Sequence, residues 1–225
     1  MVLNTSLIMS GIIKDSKMKT LTLFLLALLM ASCSNRQASN AEIALTDEPD
    51  TLCNTPQCMI YIQPYNGFKS EEANKLLPVL KLKMDSLLYG YWEFCVLPPI
   101  PLPDSTHVKD INRYRATAIL RHEQRLLKGN EVIIGLTHED ICMDVHGKKD
   151  YGIIGCSFRP GQVCIVSDKR LKNKRDFWKP VVHEFIHAFY GAPHCPEDND
   201  FCLMQDARGK ANFATKDSLC YSCRH

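Results

Sequence analysis

The chain has 225 residues, with 27 Lys and Arg against 25 Asp and Glu, a hydrophobic fraction of 45% and eleven cysteines. That length holds one domain of about 100–200 residues with appendages, and the apolar fraction excludes a disordered or fibrous chain. A formal charge of +2 excludes the basic excess of a nucleic-acid binder, and eleven cysteines are too many for packing and too odd a number to pair among themselves.

Taken in chain order, the first feature is an address. Lys17 and Lys19 precede a ten-residue apolar run from Leu21 to Met30, followed by Ala31, Ser32 and Cys33. A basic start, a short apolar stretch and small residues before a cut make a secretory signal, and the run falls short of the roughly 20 residues that span a bilayer. The small residues before Cys33 resemble the bacterial lipobox, in which the cysteine is lipidated and becomes the mature N-terminus; an ordinary signal with a chance cysteine is the competing reading. The signal is read as residues 1–32, with Met18 as the true start. Its removal takes away three lysines and one aspartate, so the remainder is formally neutral. Residues 33–52 are polar and aperiodic and read as a flexible tether. Ser34 after the cysteine favours, by analogy with lipoprotein sorting, the outer membrane.

The body, 53–225, carries no repeat or second linker. Met59 to Gln63 reads as a strand, and Ser70 as the capped start of a helix with apolar positions at Ala73, Leu77, Leu80, Met84 and Leu87, kinked or shifted by Pro78. Trp92 to Leu97 is a second strand, stopped by a proline tract that ends at Pro103. Asn112 to Lys128 reads as a helix ended by Gly129. Val132 to Leu136 is continuously apolar, the pattern of a strand buried on both faces. Gly152 to Ser157 and Gln162 to Ser167 flank a Pro160-Gly161 turn and read as a hairpin. This order predicts a mixed α/β fold.

The chemistry concentrates after Pro180. Val182, Phe185, Ile186 and Phe189 form an apolar helical stripe, while His183 and His187, one turn apart, share another face beside Glu184. This is the H-E-x-x-H arrangement, in which two imidazoles converge on one ion with a carboxylate next to it. Gly191 can end the helix at positive φ and return the chain so that His194 becomes a third ligand. Three ligands and one open position suit catalytic zinc.

With Cys195, then Cys202 and Met204, then Cys220 and Cys223, this stretch resembles the archaemetzincins among the metzincins, whose pattern is H-E-x-x-H-x-x-G-x-x-H-C, C-x-M and C-x-x-C. The resemblance covers roughly Met59 to the C-terminus, with specific motifs only in the last forty residues. It implies a metzincin-like α/β domain: a twisted, mainly parallel sheet with an antiparallel edge strand, packed helices, an active-site helix and a Cys-rich C-terminal zinc subdomain over 195–225. It implies two Zn²⁺ per chain, one catalytic on His183, His187 and His194 and one structural on Cys195, Cys202, Cys220 and Cys223. Two disulfides remain the alternative for the four cysteines of an exported chain. Met204 takes the position of the Met-turn. The implied activity is peptide-bond hydrolysis by a monomer acting on peptides or proteins, held to the membrane through its lipid, with water acidified by zinc and Glu184 as general base.

Two departures from the pattern stand out. Tyr190 is one residue extra between His187 and Gly191, which a single-turn bulge could absorb; unabsorbed, it would leave a weak or inactive zinc-binding lipoprotein of the same fold. Six residues, rather than four, separate Cys195 from Cys202, and the stretch from Met204 to Cys220 is correspondingly shorter. Of the remaining cysteines, Cys53, Cys58, Cys95, Cys142, Cys156 and Cys164 could form three disulfides, with Cys156 and Cys164 opposed or offset by one residue according to the turn. A module framed by disulfides and free of metal is a third reading. His107, His122, His138, His146 and His225 read as surface or loop residues, and the basic run from Lys169 to Arg175 as a solvated loop. The edge that pairs with substrate is expected at Gly152 to Ser157.

Overall fold

A computed structural model describes residues 57–145, 147–206 and 213–224; the signal, Cys33, the tether, Cys53, His146 and His225 lie outside them. In chain order the elements are β1 (Gln57–Tyr65), α1 (Ser70–Leu87), β2 (Tyr91–Val96), β3 (His107–Val108), β4 (Arg113–Arg115), α2 (Ala116–Gln124), β5 (Val132–Thr137), β6 (Ile141–Val145), β7 (Lys148–Ile153), β8 (Gly155–Ser157), β9 (Val163–Ser167) and α3 (Trp178–Tyr190). The main sheet runs β2-β1-β5-β9-β8, parallel throughout except for β8, which is antiparallel to β9 at the edge. That is the mainly parallel sheet with an antiparallel edge that the resemblance implies.

Both faces of this sheet are covered, which is why β5 is buried at every residue. Alternation along the strands sends Val132, Ile134 and Leu136, with Cys164 and Val166, into the larger core under α1 and α3. Ile133, Val163 and Ile165 point the other way, into a smaller core with Ile119 and Leu120 of α2. The same alternation decides two cysteines. Ser157 pairs with Cys164 and Cys156 with Ile165, so the two thiols are offset by one residue and belong to opposite faces. Among the described residues Cys58, Cys142, Cys156, Cys164, Cys195, Cys202, Cys220 and Cys223 are free thiols.

Three local expectations change. Lys69, not Ser70, is the N-cap of α1 and makes no side-chain cap bond, and α1 runs through Pro78 because Asn74 and Pro78 lie on its exposed side, where water can take the freed carbonyl. The helix expected from Asn112 begins at Ala116, because Asn112 is left-handed (φ 49°) and Tyr114 and Arg115 are drawn into parallel pairing with Ile141 and Cys142. This creates a second sheet, β3-β4-β6-β7. The strand expected over Gly152 to Ser157 is likewise divided at Ile154, where the chain leaves the second sheet as β7 and enters the main one as β8.

The smaller core contains one anomaly. Glu123 of α2 is fully buried beside the Tyr65 hydroxyl, and neither of its carboxyl oxygens has a hydrogen bond of good geometry. Burial pushes its carboxyl well above the ordinary 4.5. The folded protein therefore holds a proton there that the unfolded chain releases, so stability falls as pH rises from about 4.5 towards the folded value. Glu123→Gln is expected to remove this component. The difference in Tm between variant and wild type should shift in the variant's favour between pH 5 and pH 8 by calorimetry; a constant difference would refute a buried proton.

Candidate metal centre

Helix α3 is buried from Trp178 to Ala188, its apolar stripe packed on the main sheet. The same helical register puts His183 and His187 on the face that meets the C-terminal segment. Each ring is aimed by a backbone carbonyl: His183 Nδ1 lies 2.8 Å from Leu203 O, and His187 Nδ1 lies 2.6 Å from Ala192 O. A carbonyl can only accept, so both Nδ1 atoms carry the proton and both Nε2 atoms present a lone pair. Those two Nε2 atoms face each other at 3.1 Å. Two lone pairs at that separation repel unless a cation lies between them, and about 3.3 Å is the spacing of two nitrogens on one tetrahedral zinc.

His194 completes the set. The His183, His187 and His194 ligand atoms lie within 4.8 Å of one another. The extra Tyr190 is absorbed without a bulge: α3 continues one residue further, and Gly191 (φ 66°) closes it with an ordinary helical bond from its N–H to His187 O. Tyr190 is held in that turn by a hydrogen bond from its hydroxyl to Tyr89 O at 3.0 Å and by edge-on packing against Trp92 and Phe189. Burial pushes His183 down to about 3 and His187 to about 4, and lowers His194 as well. The three imidazoles are therefore neutral at neutral pH, the state that binds metal.

Glu184 sits beside this triad, nine-tenths buried. Burial pushes it up to about 7, opposed by the Ser157 hydroxyl, which donates to Glu184 Oε2 at 2.8 Å. Gly155 allows the approach, since a Cβ there would stand 2.6 Å from Glu184 Cγ. The sequence places these two residues on a strand but carries no signal of their contact with Glu184. The histidines and Glu184 open into a cleft of about 460 Å³ walled by β7 and β8.

The second cluster lies beyond it. The sulfurs of Cys195, Cys202, Cys220 and Cys223 are within 4.8 Å of one another. Cys195 Sγ and Cys220 Sγ are 3.5 Å apart, far beyond the roughly 2.05 Å of a disulfide and close to the roughly 3.8 Å between thiolates on one tetrahedral zinc. Four thiolates closed around one site and three imidazoles with an open side are the two donor sets that suit zinc. Chain neighbours link them, since Cys195 follows His194 and Cys202 precedes Leu203, the carbonyl partner of His183. Met204, fully buried, ends this link by accepting from Cys195 N at 2.8 Å.

The remaining candidates fall elsewhere. His138 is bound by Glu72 at 2.9 Å and Asp168 at 3.1 Å and lines a separate shallow groove. His107 bonds Asn112 and stacks on Tyr114. The basic run is not simply solvated, because Arg170 pairs with Asp140 and Lys174 with Asp168.

Substitution at Gly191 isolates the helix end. Space for a Cβ is ample, with Pro160 no nearer than 3.5 Å, so only the left-handed backbone opposes a side chain. Gly191→Ala is expected to lower stability by about 1–2 kcal/mol, and Gly191→Asn by less, because Asn tolerates this region. Thermal unfolding of the three proteins checks the order; Ala equal to Gly would remove the strained turn from the account.

No protein-family model matches the chain, and no curated protein matches it. Solved structures do. An archaemetzincin from Methanopyrus kandleri superposes with a TM-score of 0.63 at 20% identity, covering 76% of this chain and 94% of its own. An archaemetzincin from Archaeoglobus fulgidus, complexed with malonate, gives 0.57 at 24% identity over 73% of this chain and 97% of its own. A zinc-dependent peptidase from Methanocorpusculum labreanum gives 0.58 at 19% identity, again over 73% and 97%. The chain has the fold of the archaemetzincins.

Proposed function

We propose that the protein is a zinc-dependent metallopeptidase of archaemetzincin type. The observation that carries this reading is the facing pair of Nε2 lone pairs on His183 and His187, with His194 beside them and a buried carboxylate adjacent. The solved structures of the same fold include a zinc-dependent peptidase. Bound at the three imidazoles, zinc supplies Lewis acidity, polarising a peptide carbonyl and acidifying water. The residues of the chain do the rest. His183 and His187 stay neutral and oriented through their Nδ1–H bonds. Glu184 takes a proton from the attacking water and passes it to the leaving amine, a transfer that needs a carboxyl poised near neutrality. Ser157 holds Oε2, which leaves Oε1 for that proton.

In this reading the edge strand β8, whose Gly155 and Ser157 lie against Glu184, pairs with an extended peptide along the edge that no strand covers among the described residues. The four cysteines hold a second, structural zinc, and the lipidated Cys33 tethers the domain to a membrane, supported by the apolar run and small residues before it. Among the described residues no helix is long and apolar enough to cross a membrane.

Metal analysis and a peptide-library assay test the proposal together. Two zinc ions per chain are expected, falling to one in His187→Ala and to one in Cys202→Ser. Only the cysteine variant should lose several kcal/mol of stability, as structural zinc contributes folding energy. Glu184→Gln should keep both ions and lose at least about 10²-fold in turnover, the scale of one general base. Full turnover by that variant, or turnover untouched by a chelator, would sink the assignment.

A further inference from the structure

The cleft is lined by two guanidinium groups, and they are not equivalent. Arg170 is committed: its Nε and a terminal nitrogen take both oxygens of Asp140 at 2.6 and 2.7 Å, and the same carboxylate binds Arg113 Nε at 2.8 Å. Arg159 is exposed and has no carboxylate partner among the described residues. Its position is set by the edge strand. Gly155 and Ser157 lie against Glu184, and Arg159 stands in the turn that follows β8, lining the same cleft as Glu184 and the three histidines. Accordingly its charge bears on Glu184, His187 and His194 at once.

A free guanidinium beside a peptide-cutting centre presents a planar fork of donors that matches a carboxylate in two-point geometry. We propose that Arg159 determines specificity by pairing with a carboxylate of the peptide close to the bond that is cut, either an acidic side chain or the terminal carboxyl. This rests on the peptidase reading above, and the test keeps the two separable.

Binding is measured first, on full-length, zinc-loaded protein carrying Glu184→Gln so that nothing turns over. Three peptides of otherwise identical sequence are titrated: one with an internal Glu and an amidated C-terminus, one with Gln there and an amidated C-terminus, and one with Gln and a free C-terminal carboxylate. One carboxylate peptide should bind about 5- to 10-fold tighter than the neutral one, the scale of a single partly exposed ion pair, and which of the two does so identifies the source. Adding Arg159→Gln should bring all three within about twofold, and Arg159→Lys should restore part of the preference, keeping charge without the fork. Equal binding of the three peptides, absence of binding included, overturns the proposal, as does a preference that survives Arg159→Gln. In protein retaining Glu184, the Arg159→Gln effect should fall on KM for the carboxylate peptide; an equal loss of kcat on all three would make Arg159 a stabiliser of the developing oxyanion and overturn it as well. If protein with Glu184 cleaves nothing, the peptidase reading fails while the binding series still decides the role of Arg159.

Discussion

Two hydrogen bonds from imidazole to backbone carbonyl govern this molecule: His183 Nδ1–H to Leu203 O and His187 Nδ1–H to Ala192 O. They fix both tautomers and turn two lone pairs towards each other at 3.1 Å, an arrangement that opposes folding in the absence of a cation. The rest of the fold can be read as what holds those carbonyls in place. Ala192 is fixed by the left-handed turn at Gly191. Leu203 is fixed by the turn from Cys202 to Gln205 and by its own N–H, which bonds Ser218 O at 2.7 Å. Neither carbonyl lies on a strand or helix of the main fold, so rigidity must come from elsewhere.

It comes from the thiol cluster and from two buried amines. Lys216 Nζ donates to Gln205 O at 2.7 Å, and Lys179 of α3 donates to Phe213 O at 2.6 Å while pairing with Asp176 and Asp217. Buried ammonium groups are costly unless paired in this way, and here the pairing binds the start of α3 to a segment with few apolar side chains of its own. Disulfides would link four cysteines only two by two. A single ion would link the positions at 195, 202 and 220–223 together and so fix His194, Leu203 and the last turn in one event. Where the cysteines lie, not how many there are, therefore suits metal better than oxidation.

Legibility followed the range of the interactions. The double-sided burial of β5, the face of α3 and the return of the chain at Gly191 are encoded within a dozen residues each, and the sequence pattern carries them. The segment 112–115 departs from the helix its sequence predicts because its fate depends on pairing with Ile141 and Cys142, a contact nearly thirty residues away. The break at Ile154 has the same origin, since two different sheets compete for one apolar stretch. The extra Tyr190 violates the spacing of the motif but not its geometry. A helix can be lengthened by one residue if the new side chain finds a site, and here Tyr89 O and the Trp92 ring provide one. Spacing is therefore a weaker constraint than the end point it serves.

The edge strand shows how much function three residues can carry when alternation separates them. Gly155 and Ser157 face Glu184, one giving room and the other a hydroxyl, while Cys156 between them turns into the smaller core. The Glu184 carboxyl is pulled in two directions: burial raises it, and the Ser157 hydroxyl and the Arg159 charge lower it. A cation at the histidines would add a further downward pull. Burial alone would leave the carboxyl protonated, and the hydroxyl and the guanidinium oppose it. Placing the carboxyl under an edge strand sets burial against the Ser157 hydroxyl, which holds one oxygen, and against the Arg159 charge, and leaves it at about 7. The constraint on this strand is thus electrostatic as much as steric, and it explains why a glycine and a serine, rather than the β-branched residues a strand favours, stand at its two inward positions.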